Sequence, residues 1–235
     1  MKSGMRASLL DWGRIEGELG AFGCAVIPAL LAADQCATLA QSYGNPDLFR
    51  SRVVMGRHGY GVGEYKYLAY PLPEAVQALR AKLYPPLAAI ANRWNESLGI
   101  DVRYPAALAD FLERCHKAGQ ARPTPLLLKY AAGDYNRLHQ DLYGEHVFPL
   151  QATILLSEPG RDFTGGEFVL TESRARMQSR VEVVPLARGD AVIFPVRHRP
   201  VRGARGYSRA AMRHGVSRLR SGERQTLGII FHDAA

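Results

Sequence analysis

The residues with the clearest chemical potential are His139 and Asp141, which stand two positions apart in the run His-Gln-Asp. On an extended strand, residues i and i+2 project from the same face, so an imidazole and a carboxylate at this spacing can reach one metal ion. A second histidine from a distant strand would complete a facial triad that leaves metal positions free for other ligands. Because a His-x-Asp pair also occurs in ordinary surface turns, the prediction of a metal site depends on that distal histidine.

Six other histidines could supply the distal ligand, and His214 is the preferred one. It is predicted on a strand that is followed by a turn at 221–222 and then by another strand. This order places Arg224 next to the strand of His214, where its guanidinium can form a forked salt bridge to a carboxylate ligand lying on the metal. His198, which lies in a basic loop just after a predicted strand, is the alternative third ligand.

Helical patterns dominate the first half of the chain, and strand patterns dominate the second. Apolar residues at helical spacing predict three helices, at 11–19, 32–43 and 73–98. Pro85 and Pro86 should kink or split the third helix. The segment 52–70 is rich in Gly and Tyr and predicts a hairpin or a mobile loop. Short apolar runs bounded by Gly and Pro predict strands at 24–27, 126–130, 151–157, 167–170, 181–184, 191–194 and 225–232.

These elements predict an α+β fold in a single domain, 1–235. Residues 1–124 would form a mainly helical support packed on one face of a sheet, and residues 125–235 a β-sandwich or barrel core. The chain has 235 residues, 47% hydrophobic and 22% charged, a composition typical of a globular protein. It has no apolar run that approaches a membrane span and no secretory signal, and its three cysteines form no Cys-x-x-Cys pair. We therefore expect a cytoplasmic protein with reduced, buried thiols and no membrane partner.

The second half of the chain resembles the iron(II)/2-oxoglutarate-dependent dioxygenases, whose core is a double-stranded β-helix of the jelly-roll or cupin-like type. The resemblance covers roughly 125–232 and is strongest to the prolyl-hydroxylase-like members. Five elements carry it in order: Tyr130-x-x-Gly-x-Tyr leading to His139-Gln-Asp141, the strand 151–157, Thr164-Gly-Gly-Glu, Gly189-Asp-Ala, and His214 with Arg224 ten residues later. The Arg-rich stretch between 194 and 214 departs from the pattern, since the core of the family does not need it.

The resemblance implies a cofactor set and a role for each matching residue. His139, Asp141 and His214 would hold Fe(II), and 2-oxoglutarate would chelate that iron. The far carboxylate of 2-oxoglutarate would pair with Arg224 and the Tyr130 hydroxyl, with Thr153 as a weaker candidate. With O2, such enzymes convert 2-oxoglutarate to succinate and carbon dioxide and hydroxylate a C–H bond, and no catalytic residue beyond the metal centre is expected. When the carbon is an N-methyl group, the product releases formaldehyde.

The overall sequence also resembles a bacterial group labelled as oxidative demethylases of damaged DNA, and the charge is compatible with that substrate. The net charge is +8, and residues 197–235 hold nine arginines against two acidic residues. Arginine binds phosphate well, and a base inside a duplex must be flipped out and stacked before an enzyme can act on it. The candidate substrate contacts are Tyr60 and Tyr65, in a possible lid over 57–67, and Arg197, Arg199 and Arg202. The tyrosines could equally pack on the β core, and the arginines could reflect an Arg-rich proteome.

Two other functions remain open at this point. A protein or amino-acid hydroxylase of the prolyl type would use the loop 197–213 to bind an acidic peptide, or leave it solvated. A non-catalytic β-barrel module would bind nucleic acid without a metal, although the complete set of His, Asp, His and Arg argues against it. The sequence does not identify the substrate or the oligomeric state.

Overall fold

Within the part of the chain that the structure describes, four α-helices precede or flank the strands of the fold. The protein was studied as a computed structural model, which describes residues 10–204 and 206–235. The helices are α1 (Trp12–Phe22), α2 (Ala33–Gln41), α3 (Glu74–Ser97) and α4 (Leu108–Lys117). None of the described helices combines the length and apolarity needed to cross a membrane.

Fourteen strands are described, and they form two antiparallel sheets. They are β1 (Ala25–Ile27), β2 (Phe49–Val54), β3 (Gly61–Val62), β4 (Glu64–Leu68), β5 (Leu126–Ala131), β6 (Tyr135–His139), β7 (Leu150–Leu155), β8 (Phe163–Gly165), β9 (Phe168–Ser173), β10 (Arg180–Val184), β11 (Ala191–Pro195), β12 (His198–Gly203), β13 (Gly206–Val216) and β14 (Leu219–Ile229). The larger sheet has the order β1-β11-β7-β14-β5-β4-β2, with β8 paired to β14. The smaller has the order β10-β9-β13-β6-β3, with β12 paired to β13. This α+β architecture is the predicted double-stranded β-helix.

The helices cover one face of the larger sheet, as predicted. Helix α3 buries an apolar stripe that includes Leu79, Leu83 and Leu87, and these side chains join one core cluster with Ile154 and Ile229 of the sheet. Each large apolar side chain buried in this way stabilises the fold by roughly 1.5–3 kcal/mol. The sheet face that the helices leave uncovered, together with the smaller sheet, lines the site described below.

Two details of the predicted local structure differ in the structure: the third helix is not split at its prolines, and the turn before Arg224 lies elsewhere. Pro85 and Pro86 do not split α3, which runs unbroken from Glu74 to Ser97 because its buried stripe offsets the hydrogen bonds that proline removes. The turn predicted at 221–222 lies instead at 217–218, and Gly222 sits inside β14 with φ +76°. A Cβ at Gly222 would collide with the carbonyl oxygen of Asp162, so this glycine permits a close strand approach rather than a turn.

The Gly- and Tyr-rich segment and the Arg-rich segment both form hairpins. Residues 52–70 contain parts of β2 and β4, which pair with each other, and β3, which pairs with β6 beside the site. Strands β12 and β13 pair in register from His198 opposite Ala211 to Gly203 opposite Gly206, so most of 197–213 is a hairpin rather than a loop. All three cysteines are buried and unpaired.

Candidate metal centre and co-substrate pocket

Strand pairing brings the three predicted metal ligands together. His139 at the end of β6 lies directly opposite His214 on β13, and the two ring centroids are 4.1 Å apart. Asp141 follows two residues later, with Oδ1 3.5 Å from His139 Nε2 and Oδ2 3.3 Å from His214 Nε2. One donor atom from each residue lies within 4.8 Å of the others. His198, the alternative ligand, pairs with Ala211 at the start of β12 and is not part of this cluster.

Neighbouring groups orient each of the three ligands. His139 Nδ1 donates a hydrogen bond to the Arg137 carbonyl oxygen at 2.7 Å, which leaves Nε2 to bind a metal. The Tyr143 hydroxyl donates to Asp141 Oδ1 at 2.9 Å. The His214 ring packs against Phe194, with centroids 4.8 Å apart, so an aromatic wall fixes its plane.

The protonation states in the cluster suit a divalent cation. Burial opposes ionisation of Asp141, but the adjacent His214, His139 and Tyr143 hydroxyl hold its pKa well below the usual range. Burial and the neighbouring His214 lower the pKa of His139. A carboxylate and a neutral imidazole are the forms that bind metal, and two imidazoles with one carboxylate match the donor set of non-haem Fe(II) sites.

A second group of predicted residues lies deeper in the same cavity, which has a volume of about 300 Å³. Arg224 on β14 lies directly opposite Tyr130 on β5, and both side chains are fully buried. The Tyr130 hydroxyl accepts a hydrogen bond from Asn136 Nδ2 at 3.3 Å, and burial raises the pKa of Tyr130 to about 12. Thr153, half-buried on β7, lines the same cavity.

Arg224 is a buried cation without an acceptor. It is 2% exposed, and its Nε and Nη1 atoms have no hydrogen-bond partner among the described residues. Its guanidinium carbon lies 5.8 Å from the ring centroid of Tyr130 and 5.9 Å from that of Phe163. Burial lowers the pKa of Arg224 to about 10, so the group stays charged at neutral pH. An orphaned guanidinium in a cavity next to a metal triad fits the far carboxylate of 2-oxoglutarate, because carboxylates bind arginine through paired hydrogen bonds.

Both predicted tyrosines line the cavity, and they differ in exposure. Tyr60 is 49% exposed at the mouth and stacks on His58, with ring centroids 5.3 Å apart. Tyr65 is half-buried in the wall and contacts the buried Tyr67 edge to face at 5.3 Å. The Tyr65 side chain therefore packs against the core and also lines the cavity, whereas the Tyr60 ring is exposed enough to contact a ligand.

The three predicted substrate arginines have different environments. Arg199 is 1% exposed, and its Nε donates to Glu172 Oε2 at 2.7 Å while its other nitrogens bond the carbonyls of α1. The prediction that Arg199 contacts substrate is therefore wrong, since a buried ion pair occupies its guanidinium. Arg197 and Arg202 are exposed, Arg197 at the start of the β12–β13 hairpin and Arg202 near its tip. Neither lines the cavity that contains the metal triad and Arg224, which is called the iron cavity below.

Some residues of the site were not predicted from the sequence. Tyr143 stands two residues after Asp141, so the same alternation that pairs His139 with Asp141 could have indicated it. Gln140 lines the cavity and donates to the Met212 carbonyl oxygen at 2.8 Å, a contact across 72 residues that leaves no local signal.

Comparison with known proteins agrees with this geometry. Residues 63–234 match the model of the Oxygenase-NA family, described as "Oxygenase, catalysing oxidative methylation of damaged DNA". The chain is 52% identical to an uncharacterized protein of Mycobacterium tuberculosis, found in strains CDC 1551 and H37Rv, over 165 residues. That alignment covers 70% of this chain and 71% of the relative.

Solved structures share the fold. A prolyl-4-hydroxylase from Pseudomonas putida superposes with a TM-score of 0.56 at 17% identity, over 95% of this chain and 99% of that one. An oxidoreductase of the 2-oxoglutarate–Fe(II) oxygenase family from Burkholderia pseudomallei gives 0.56 at 16% identity, over 97% and 94%. The family match, the triad of His139, Asp141 and His214, and the orphaned Arg224 lead to one assignment. The chain belongs to the Oxygenase-NA family and is an Fe(II)/2-oxoglutarate-dependent oxygenase.

Proposed function

We propose that this oxygenase removes N-methyl groups from bases in nucleic acid. The observation that carries the proposal is the half-exposed Tyr60 at the mouth of a cavity that ends at the metal triad. The description of the matching family, which names damaged DNA, supports the same substrate class. The reaction is a hydroxylation of the methyl carbon. One oxygen atom of O2 enters the methyl group, and the other enters 2-oxoglutarate, which is oxidised to succinate as its C1 carboxylate leaves as carbon dioxide. The hydroxymethyl product then releases formaldehyde and the free N–H.

The chain's own residues prepare the cavity for this chemistry. His139, Asp141 and His214 would hold Fe(II) with three protein donors, which leaves other metal positions for the co-substrate and O2. Arg224 and Tyr130 would bind the far carboxylate of 2-oxoglutarate. Fe(II) with bound 2-oxoglutarate supplies the oxidation of the C–H bond, and the protein supplies orientation and the exclusion of water.

The aromatic mouth suits a flat base. An enzyme that acts on a base must take it out of the stack, and aromatic side chains then replace the lost stacking. One such contact contributes roughly 1–3 kcal/mol per base. Tyr60, supported from behind by His58, offers such a surface, and Tyr65 and Leu142 line the way to the triad.

The charge on the surface supports an anionic substrate. Of the nine arginines after 196, Arg224 faces the co-substrate pocket and Arg199 is held by Glu172. The other arginines in the described part of this segment are all exposed: Arg197, Arg202, Arg209, Arg213, Arg218 and Arg220. Exposed arginines attract phosphates in a salt-dependent way and without base specificity.

The test is turnover of an oligonucleotide that carries one N-methylated base, such as 1-methyladenine or 3-methylcytosine. With Fe(II), ascorbate and 2-oxoglutarate, we expect formaldehyde and succinate in equal amounts. The same oligonucleotide without the methyl group should yield no formaldehyde, and Asp141→Ala should abolish both products. Succinate formation with a proline-containing or acidic peptide, and none with methylated oligonucleotides, would reject the proposal in favour of a peptide hydroxylase.

A further inference from the structure

We infer that a groove beside the iron cavity binds the nucleotide next to the target base, with its phosphate held by Arg197 and Arg209. This inference rests on the proposed function. The groove, called the flanking groove below, has a volume of about 370 Å³ and lies between the C-terminal end of α3, the segment after Asp141 and the β12–β13 hairpin. Its volume is in the range of a single small ligand.

The flanking groove adjoins the iron cavity. Leu142, which is 43% exposed, lines both spaces. Gln140 lines the iron cavity, and its side-chain amide reaches the carbonyl oxygens of Met212 at 2.8 Å and Arg197 at 3.4 Å. A nucleic-acid strand with one base in the iron cavity would therefore place the neighbouring nucleotide within reach of the groove.

The lining of the groove combines the two kinds of side chain that a nucleotide needs. Leu98, Ile100 and Val147 are apolar, and a base can pack on them. Arg197, His198 and Arg209 are basic or polar, and a phosphate can bind to them. This combination suits a ligand that has both a flat apolar part and an anionic part.

The two guanidiniums are free to bind an anion. Both Arg197 and Arg209 are exposed, and within 10–204 and 206–235 neither guanidinium forms an ion pair or a hydrogen bond. Glu145 also lines the groove, so two cations face one carboxylate and the balance favours a monoanion such as a phosphodiester. Burial and the positive field of Arg197 and Arg209 lower the pKa of His198, which leaves His198 neutral and able to accept or donate a hydrogen bond.

Two exposed arginines outside the groove, Arg202 on β12 and Arg220 on β14, provide a matched control. Arg202 and Arg220 are also exposed arginines of the same C-terminal segment, and neither lines the flanking groove. The double substitution Arg202→Gln with Arg220→Gln removes the same charge as Arg197→Gln with Arg209→Gln. Comparing the two double variants separates a site from a general attraction between basic protein and DNA.

The experiment measures oligonucleotide affinity by fluorescence anisotropy and turnover by succinate formation. The substrates are a methylated oligonucleotide and the corresponding methylated nucleoside, which has no phosphate. For the oligonucleotide, we expect the groove variant to raise Kd and KM by roughly 10- to 100-fold, since each lost arginine removes a charge-assisted hydrogen bond. The slope of log Kd against log salt should fall by roughly 1–2. The KM for the nucleoside, and kcat for both substrates, should stay as in the wild type.

The outcomes separate the inference from the proposed function. If wild-type enzyme demethylates oligonucleotides and the groove and control variants lose affinity equally, the groove is not a site and the proposed function stands. A groove variant that turns over the nucleoside as poorly as the oligonucleotide would also overturn the inference. If wild-type enzyme turns over neither nucleic-acid substrate and the groove variant loses affinity for an acidic peptide, both the inference and the proposed function fail.

Discussion

Replacing Arg224 with methionine should make the protein more stable and unable to bind 2-oxoglutarate. Methionine keeps most of the apolar stem and removes the charge. In the structure the guanidinium is 2% exposed, and two of its nitrogens have no acceptor. Burial lowers the pKa of Arg224 from 12.5 to about 10, which corresponds to roughly 3 kcal/mol against the charged form at about 1.36 kcal/mol per pH unit. Without a bound carboxylate, this unfavourable free energy lowers the stability of the folded protein.

The expected gain in the free energy of unfolding is roughly 1–3 kcal/mol, because methionine fills part of the volume without the charge. For a chain of this size, each kcal/mol raises Tm by about 2–4 °C. The loss in co-substrate affinity should be larger. Removing one partner of a buried ion pair costs roughly 3–5 kcal/mol, so the Kd of 2-oxoglutarate should rise by ~10²- to 10⁴-fold.

The assay is thermal and urea unfolding of the metal-free protein and of the Mn(II) form, each with and without 2-oxoglutarate. In the wild type, 2-oxoglutarate should raise Tm of the Mn(II) form, and in Arg224→Met it should not. Arg220→Met, on the exposed part of the same strand, is the control and should keep the stabilisation by 2-oxoglutarate. A variant that unfolds more easily than the wild type, or that keeps wild-type affinity for 2-oxoglutarate, would refute the assignment of Arg224 as an unsatisfied cation waiting for a carboxylate.

Three further predictions concern one hydrogen-bond partner of a metal ligand and two buried ionisable groups. Tyr143→Phe removes the hydrogen bond that orients the ligand carboxylate and should weaken Co(II) binding by ~10- to 100-fold in a spectroscopic titration, whereas Tyr67→Phe should not. Burial lowers the pKa of His232 to about 4 in the folded protein. As the pH falls, this histidine therefore takes up a proton in the unfolded state before it does so in the folded state. The free energy of unfolding should fall by up to ~3 kcal/mol between pH 6.5 and 4. In urea titrations at several pH values, His232→Asn should make the free energy of unfolding less dependent on pH. An unchanged pH dependence would contradict the conclusion that buried His232 causes the decline. Glu172→Gln leaves Arg199 buried without its counter-charge and should lower the free energy of unfolding by roughly 3 kcal/mol, with oligonucleotide affinity of the folded fraction unchanged.

The metal triad could be predicted because its geometry is largely local. The spacing of two residues in an extended segment predicts that His139, the last residue of β6, and Asp141 point to one side. Only the choice of the distal histidine needed longer reasoning. The preference for His214 over His198 followed from the strand that precedes Arg224. The choice of His214 was right, but two details of the reasoning were wrong. The turn lies at 217–218 and not at 221–222, and β13 and β14 are not neighbours in one sheet. They lie in different sheets, and His214 and Arg224 line the same cavity from those two sheets.

Contacts between distant parts of the chain could not be predicted in the same way. Gly222 is a residue type typical of turns, and only the close approach of the Asp162 carbonyl oxygen, 60 residues earlier in the chain, explains why glycine stands inside β14. Helix α4 was not predicted, because it buries only Phe111 and Cys115, and two buried residues are too few to give a clear helical pattern in the sequence. The hairpin of β12 and β13 contains arginines where a strand usually has apolar residues, and its inward face is filled by an ion pair.

The buried arginines show why the net charge of a sequence overstates what a substrate can meet. Arg199 and Arg224 lie in the same basic segment, and both are almost fully buried. Arg199 has Glu172 and two backbone carbonyls as acceptors, whereas Nε and Nη1 of Arg224 have no acceptor within residues 10–204 and 206–235. Burying a charge is unfavourable unless it is paired, so a satisfied arginine belongs to the fold, whereas an unsatisfied one requires a ligand. The exposed arginines form a third class, because solvent already satisfies them and they gain little from one counter-ion. An exposed arginine therefore gains a role in binding only from its position. Arg197 and Arg209 have such a position, because both line the flanking groove, which shares Leu142 with the iron cavity.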